Sequence, residues 1–449
     1  MTKTTRSLAE PIYDLIGVGF GPANLALSIA MEEEGQGASR LFLEARESPA
    51  WHPGMLLEES QIQISVLKDL ATLRNPQSRY TFLNYLHEKG RLYEFLNLRD
   101  LCPTRYEFDD YLGWVAQSQN RHVRYGREVM AIEPLTQGNR VDLLRVVSTR
   151  QDTGEIEERL ARNVVLATGG VPALPEGMAI QRGGRVIHTS DFLTRMRQDF
   201  PDRSAPHRFV VVGSGQSGGE LFSYLLDHYP NAEIVAAIRR FAYKPCDDSD
   251  FTNEIFFADR VDWLYNLPAE KRRRVLAETG EVNYAVVDRP LIQRIYRQLY
   301  KEKVEGRTRA RIQPYAELVA LDETSDEIVS RFVDLMTDEP FEIEADAVIL
   351  ATGYRWPSDH PLLSGLAPYL VANEEGAAGY QIERDYRVKA DKGFEPGVYL
   401  QGFSERRHGP SETVLSLLAI RARDIVQSLA KASASREAST ESVAVAAAS

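Results

Sequence analysis

Short apolar runs bounded by small residues recur along the chain and read as buried strands. Leu15-Ile16-Gly17-Val18 leads into a glycine-rich turn, and from Ala23 to Met31 the apolar residues take helical spacing. Arg208 to Val212, rich in β-branched residues, leads into a second such turn and the helical pattern Gly219 to Leu226. Arg40 to Leu43 and Ala232 to Ile238 are the strands expected next after each helix. Asn163 to Gly169 and Ala347 to Tyr354 are near copies of one another, each a buried strand ending in a small-residue turn. The order strand, glycine turn, helix, strand therefore occurs twice, which predicts an α/β chain with two Rossmann-like units.

The turns carry the first chemistry. In Gly17-Val18-Gly19-Phe20-Gly21-Pro22, glycines let the backbone approach a pyrophosphate resting on a helix N-terminus. The familiar six-residue spacing would put its last glycine at Pro22, and a proline is tolerated in the first turn of a helix. Glu44, at the end of the next strand, is suited to accept hydrogen bonds from ribose hydroxyls. Alone, such a turn also suits a loop in any doubly wound protein; Glu44 favours the nucleotide. The second turn, Gly213-Ser214-Gly215-Gln216-Ser217-Gly218, keeps the full spacing in strand–turn–helix context. Its next strand ends in Arg239-Arg240, and guanidinium there can pair with a 2′-phosphate, so NADPH is expected over NADH. A solvated arginine pair is the plain alternative. Two turns in one chain fit an enzyme that passes electrons between two dinucleotides.

Composition narrows the class. With 449 residues, a net charge of −12 and no long basic block, neither nucleic acid nor an anionic membrane is an expected partner. No apolar run reaches the length of a membrane span, and Met1 to Arg6 lacks the apolar core of a signal peptide, so a cytoplasmic location is expected. Cys102 and Cys246 form no local Cys-x-x-Cys pair, which weighs against a disulfide oxidoreductase. No metal-ligand cluster and no nucleophile elbow is found.

Several further segments carry a family resemblance. They are Gly-Val-Gly-Phe-Gly-Pro-Ala-Asn-Leu at 17–25, Trp51-His52-x-Gly54-Met55, Lys68-Asp69-Leu70-Ala71-Thr72-Leu73-Arg74-Asn75-Pro76 and Phe82-Leu83-Asn84-Tyr85-Leu86. Asp247-Asp248-Ser249 with Asn253-Glu254-Ile255-Phe256, Asn283-Tyr284, Ala351-Thr352-Gly353-Tyr354 and His408-Gly409 complete the set. From about Tyr13 to Leu429 the chain resembles the N-hydroxylating flavin monooxygenases, most of all the L-ornithine N5-monooxygenases of hydroxamate siderophore biosynthesis.

The resemblance implies an NADPH-binding domain (171–345, with a small, mainly helical substrate region at about 245–305) inserted in an FAD-binding domain (1–170 and 346–430), followed by a disordered tail at 431–449. It implies FAD contacts at Gly17, Gly19, Gly21, Pro22, Glu44, Trp51, His52, Met55, Gln63, Leu415 and Ser416. NADPH contacts are implied at Gly213, Gly215, Gln216, Ser217, Gly218, Arg239 and Tyr284. Lys68 is implied to bind the α-carboxylate of an amino acid, with Asn253, Asn283 and Leu417 around the rest of the substrate. The implied reaction needs no side-chain nucleophile: NADPH reduces FAD, oxygen adds as a C4a-hydroperoxyflavin, and a neutral amine takes its distal oxygen. A homotetramer or dimer is also implied. Departures from the family pattern stand at Asp250, Val282, Ala285 and Pro410, flanking the substrate pocket, so L-lysine, a diamine or another amino acid stays open as substrate, and an uncoupled NADPH oxidase as activity. The segment Gly184 to Phe192 is only a partial match to another flavin monooxygenase fingerprint, since Arg182 replaces its aromatic residue, and His188 is expected to be a packed junction residue.

Overall fold

The computed structural model describes residues 11–448 except 36, 139, 182, 325, 326, 358 and 374–377. Met1 to Arg6 and Arg182, on which two expectations rest, lie outside the described residues.

Two five-stranded parallel sheets organise the chain. The first runs Gly397–Leu400, Asn163–Leu166, Leu15–Val18, Arg40–Leu43, Val123–Arg124. The second runs Val186–His188, Ala347–Leu350, Arg208–Val212, Glu233–Ala237, Ala310–Gln313. Most strands of both sheets are buried throughout, as expected of parallel sheets covered on both faces. Each glycine turn opens a helix, Pro22–Glu34 in the first unit and Gln216–His228 in the second.

Each unit also carries an antiparallel sheet that the apolar pattern left unannounced. Arg127–Gln137, Arg140–Arg150 and Ile156–Ala161 fold beside the first parallel sheet, and Ala316–Glu323, Ile328–Asp334 and Pro340–Ala345 beside the second. Where the chain crosses between units, Val171–Pro172 pairs with Tyr354–Arg355. His188 is buried at this crossing, its Nε2 3.1 Å from the Gly353 carbonyl oxygen and its ring edge-on to Tyr354.

Two boundaries need correcting. The expected return to the first unit at residue 346 comes too early, because Ala347–Leu350 is hydrogen-bonded inside the second sheet between Val186–His188 and Arg208–Val212. The first sheet is regained only at Gly397–Leu400. The tail expected to be disordered continues the last helix, Leu418–Ala448. Residues 431–448 contain little to bury, but they are rich in alanine and hold neither glycine nor proline, so nothing interrupts a helix begun on the core. The segment 245–305 is mainly helical, with Ala258–Asn266, Ala269–Glu278 and Arg289–Val304.

Candidate active site

The two glycine turns superpose in an unexpected register. Each parallel strand ends just before a glycine at positive φ, Gly19 at 83° and Gly213 at 143°. Two residues on, Gly21 and Gly215 take the same extended conformation as N-caps of the two helices. A Cβ on Gly19 would lie 2.6 Å from the Ala167 carbonyl oxygen, and one on Gly213 would lie 2.3 Å from that of Ala351. Each Ala-Thr-Gly segment thus closes over the glycine turn of its own sheet. Gly17 therefore stands inside the strand, where its missing side chain makes room for the Phe42 ring, 2.3 Å from an added Cβ. It serves packing, and its assignment to the cofactor is corrected. The place of the last fingerprint glycine falls on Asn24, which is buried and donates its amide to the Gly19 carbonyl at 2.7 Å.

Above the first sheet lies a cleft of about 680 Å³. Gly19, Gly21, Pro22, Glu44, Trp51, His52 and Leu415 all line it. Nothing stands within 4 Å of a Cβ built on Gly21, so the helix N-terminus is open to a ligand. Glu44 Oε2 accepts from Phe20 N at 2.7 Å and Oε1 from Arg46 N at 3.0 Å, which fixes its carboxylate at the strand end. An open helix N-terminus, a backbone that no side chain shields and a fixed acid at the next strand end fit a dinucleotide such as FAD. Trp51 is held by its backbone N–H on Asp109 Oδ1 at 2.9 Å and by edge contacts to His52 and Phe108.

Met55 is not in the cleft. It is buried in the core of the second unit with Ile187, Phe192 and Leu221, because Gly54 packs directly on the Ser190 carbonyl and turns the chain that way. Gln63 is exposed and stands outside the cleft lining. Ser416 is buried and does not line the cleft.

The run after Lys68 is a scaffold for that lysine. Asp69 is buried and accepts from Ala71 N, Thr72 N, Thr72 Oγ1 and Phe82 N at 2.6 to 2.8 Å. The turn Val66–Lys68 is thereby pinned, and it packs against the turn Leu415–Leu417 at the cleft edge. Lys68 is half-buried, burial draws its pKa below the ordinary lysine value, and it makes no ion pair among the described residues. A desolvated cation without a counter-ion calls for an anion.

The chain of packed turns continues. Pro410–Glu412 adjoins Leu415–Leu417 on one side and Thr252–Phe256, which carries Asn253, on the other. Ile255 and Val282 share a small apolar core with Leu264, which sets the Asn253 and Asn283 turns side by side. Asn253 is half-buried and Asn283 exposed. Tyr284 hydrogen-bonds Glu405, and its hydroxyl lies 3.2 Å from Thr413 Oγ1, reaching from the inserted region to the returning chain. Of the departures from the family pattern, Val282 is buried in that small core, Ala285 takes φ 55° against Gly215, Pro410 is buried, and Asp250 is exposed.

In the second turn, Gly218 lies so close to Gly213 that a Cβ would meet its carbonyl oxygen at 2.4 Å. Arg239 is exposed just past the strand, 3.9 Å from Glu317, while Arg240 beside it in the chain shares Glu281 with Lys244. This basic group fits a 2′-phosphate. Gln216 is otherwise engaged: its amide donates to Glu220 and Asp288 and accepts from Asp288 N, so its side chain braces the protein. Ser217, half-buried, follows it in the first turn of the helix.

Other residues enter the site without a signature in the sequence. Gln401 lines the cleft and donates to Asn24 Oδ1 at 2.9 Å. Glu412 and Arg421 form a buried ion pair at 2.7 Å, and Glu412 also accepts from Gly402 N at 2.5 Å. Arg105 reaches Glu220 at 2.8 Å, tying a helix of the first unit to the helix of the second turn. The Gln401–Asn24 and Arg105–Glu220 contacts join residues far apart in the chain, and the Glu412–Arg421 pair follows no familiar spacing, so no local motif announces them.

A family model described as L-lysine 6-monooxygenase/L-ornithine 5-monooxygenase matches residues 11–356. The chain belongs to this family. It is 41% identical over 433 residues to an L-ornithine N(5)-monooxygenase of Pseudomonas aeruginosa, covering 96% of each chain. Among solved structures, it is similar to an ornithine N-hydroxylase from Kutzneria sp. 744, with a TM-score of 0.89 and 37% identity over 94% of this chain and 99% of that one. An L-lysine 6-monooxygenase from Pseudomonas syringae is more distant, with a TM-score of 0.82 and 34% identity over the same shares. The Kutzneria structure is a complex with reduced FAD, NADP+ and L-ornithine, and its fold, two Rossmann-like units, is this chain's as well.

Proposed function

We propose that this protein is an FAD- and NADPH-dependent monooxygenase that hydroxylates the side-chain amine of L-ornithine, supplying N5-hydroxyornithine for a hydroxamate siderophore or a related product. The observation that carries the choice of an amino acid is Lys68, a half-buried cation with no counter-ion among the described residues, in a turn packed against Leu415–Leu417 at the cleft edge. A diamine has no carboxylate to offer it. The choice of ornithine is supported by the higher identity to the ornithine enzyme and by the Kutzneria neighbour, whose complex holds reduced FAD, NADP+ and L-ornithine.

Bound FAD, reduced by NADPH, supplies the activated oxygen. The chain's own residues bind and orient. Lys68 pairs with the α-carboxylate, and Asp69 keeps that ammonium in place. Asn253 and Asn283 offer both donors and acceptors, so they hold the α-amino group and the terminal amine without forcing either to stay charged. Leu415 and Leu417 cover the amine end and exclude water, which favours the neutral amine the reaction needs. Tyr284 closes the inserted region on the returning chain. Assembly as a dimer or tetramer and a cytoplasmic location belong to the same reading; among the described residues no helix is long and apolar enough to cross a membrane.

The test compares kcat/KM for hydroxylamine formation across L-ornithine, L-lysine, putrescine and cadaverine. A preference of at least about tenfold for L-ornithine, roughly 1.4 kcal/mol of transition-state binding, supports the proposal. A preference for cadaverine or putrescine removes Lys68 from its role.

A further inference from the structure

A second cleft, of about 700 Å³, opens beside the first and shares Trp356, Gly402 and Thr413 with it. None of the glycine-turn residues that would hold a dinucleotide lines it. Among the described residues its charged wall is basic: four arginines, Arg272, Arg355, Arg406 and Arg407, face two carboxylates, Asp359 and Glu405. Glu405 is already engaged by the Tyr284 hydroxyl, and burial holds its carboxyl above the ordinary pKa. Arg272 is buried and donates to the carbonyls of Arg406 and Leu267. Arg355 and Arg406 are exposed, and among the described residues neither they nor Arg407 makes an ion pair. Arg407 lays its guanidinium over the Tyr265 ring at 4.6 Å, and its Nε is buried with no hydrogen-bond partner among the described residues. Ser404, on the same wall, is buried with its hydroxyl equally unpartnered.

We propose that this cleft is an anion site for a phosphate-bearing small molecule, separate from both dinucleotide sites. Guanidinium groups match phosphate oxygens with paired N–H donors, and a serine hydroxyl adds one more donor. Arg355, Arg406 and Arg407, which make no ion pair among the described residues, exceed what Asp359 satisfies once Glu405 is engaged, and suit a group of charge near −2. Because Trp356, Gly402 and Thr413 belong to both clefts, an occupant here touches the wall of the first cleft.

The experiment titrates inorganic pyrophosphate by calorimetry into the FAD-loaded protein saturated with NADP+, at low ionic strength. Saturable binding is expected, weakened at least tenfold by the double substitution Arg355→Ala, Arg406→Ala and unchanged by Arg239→Ala. Both arginines are exposed, so flavin absorbance and melting temperature should be retained; Ser404→Ala gives a second variant, with a smaller loss. No saturable binding to the wild-type protein overturns the proposal. So does binding that is lost in Arg239→Ala and kept in the double variant, since that pattern belongs to the second dinucleotide turn.

Discussion

Asn24 donates its side-chain amide to the Gly19 carbonyl at 2.7 Å and so occupies, in the first turn, the place that Gly218 holds in the second. Where glycine allows close packing, asparagine ties the turn together from the helix. Its Oδ1 also receives Gln401 Nε2 at 2.9 Å. Substituting Asn24 by Ala leaves the Gln401 donor unpaired and the Gly19 carbonyl without this bond, a loss of about 1–3 kcal/mol. The expected result is a lower midpoint in denaturant and weaker retention of FAD on gel filtration; an unchanged midpoint with full flavin content contradicts the role.

Lys68 and Asp69 divide one task between them. Removing the ammonium with Lys68→Met is expected to raise KM for L-ornithine about a hundredfold, the order of a charge-assisted hydrogen bond, with a much smaller change in kcat. Lys68→Arg should recover part of the loss. Steady-state kinetics on the three proteins checks this, and a loss confined to kcat would place Lys68 elsewhere.

His408 predicts how stability varies with pH. Burial, above all, holds its pKa down to about 3 from the ordinary 6.5, with its Nε2 3.2 Å from the Arg384 carbonyl and its ring stacked on Tyr386. Between those two values the unfolded chain binds the proton and the folded one does not. The contribution is therefore complete above pH 6.5 and is lost as pH falls towards 3, by about 1.4 kcal/mol per pH unit. His52 and His122 are also held down, to about 4, so the test is the difference: in urea titrations at pH 7.5, 6.0 and 5.0 the fall in stability should be shallower in His408→Gln than in the wild-type protein.

Arg239 is expected to choose the second dinucleotide. It is three-quarters exposed, and its nearest carboxylate, on Glu317, stands 3.9 Å away, so a 2′-phosphate meets little competition. Arg239→Ala should raise KM for NADPH about tenfold and leave KM for NADH nearly unchanged, because only NADPH carries the phosphate that guanidinium pairs with.

The strands at 15–18, 40–43, 163–166, 208–212 and 347–350 were legible because parallel strands buried on both faces read as short apolar runs, here opened at most by one polar residue, Arg40, Asn163 or Arg208. The second turn was legible for the same reason, with its glycines in the expected spacing. In the first turn three glycines alternate and offer two registers. The choice depends on the Phe42 ring filling the space beside Gly17, which local spacing does not contain. The Ala-Thr-Gly segment at 351–353 was visible as a crossing point, but its allegiance is set by pairing with Arg208–Val212. Met55 and Gln216 lie within recognisable motifs, yet Met55 points to the neighbouring core and Gln216 is bound by Glu220 and Asp288. Lys68 could be named from its motif; that it makes no ion pair among the described residues, and that Asp69 anchors its turn, required the structure.

The most direct measurement of the central claim is the number of hydroxylated L-ornithine molecules formed per NADPH consumed, in air and with added FAD. Close to one is predicted, falling sharply in Lys68→Met as hydrogen peroxide takes the place of product. NADPH oxidation that yields peroxide and no hydroxylamine in the wild-type protein would contradict it, leaving two dinucleotide sites and no amine hydroxylase.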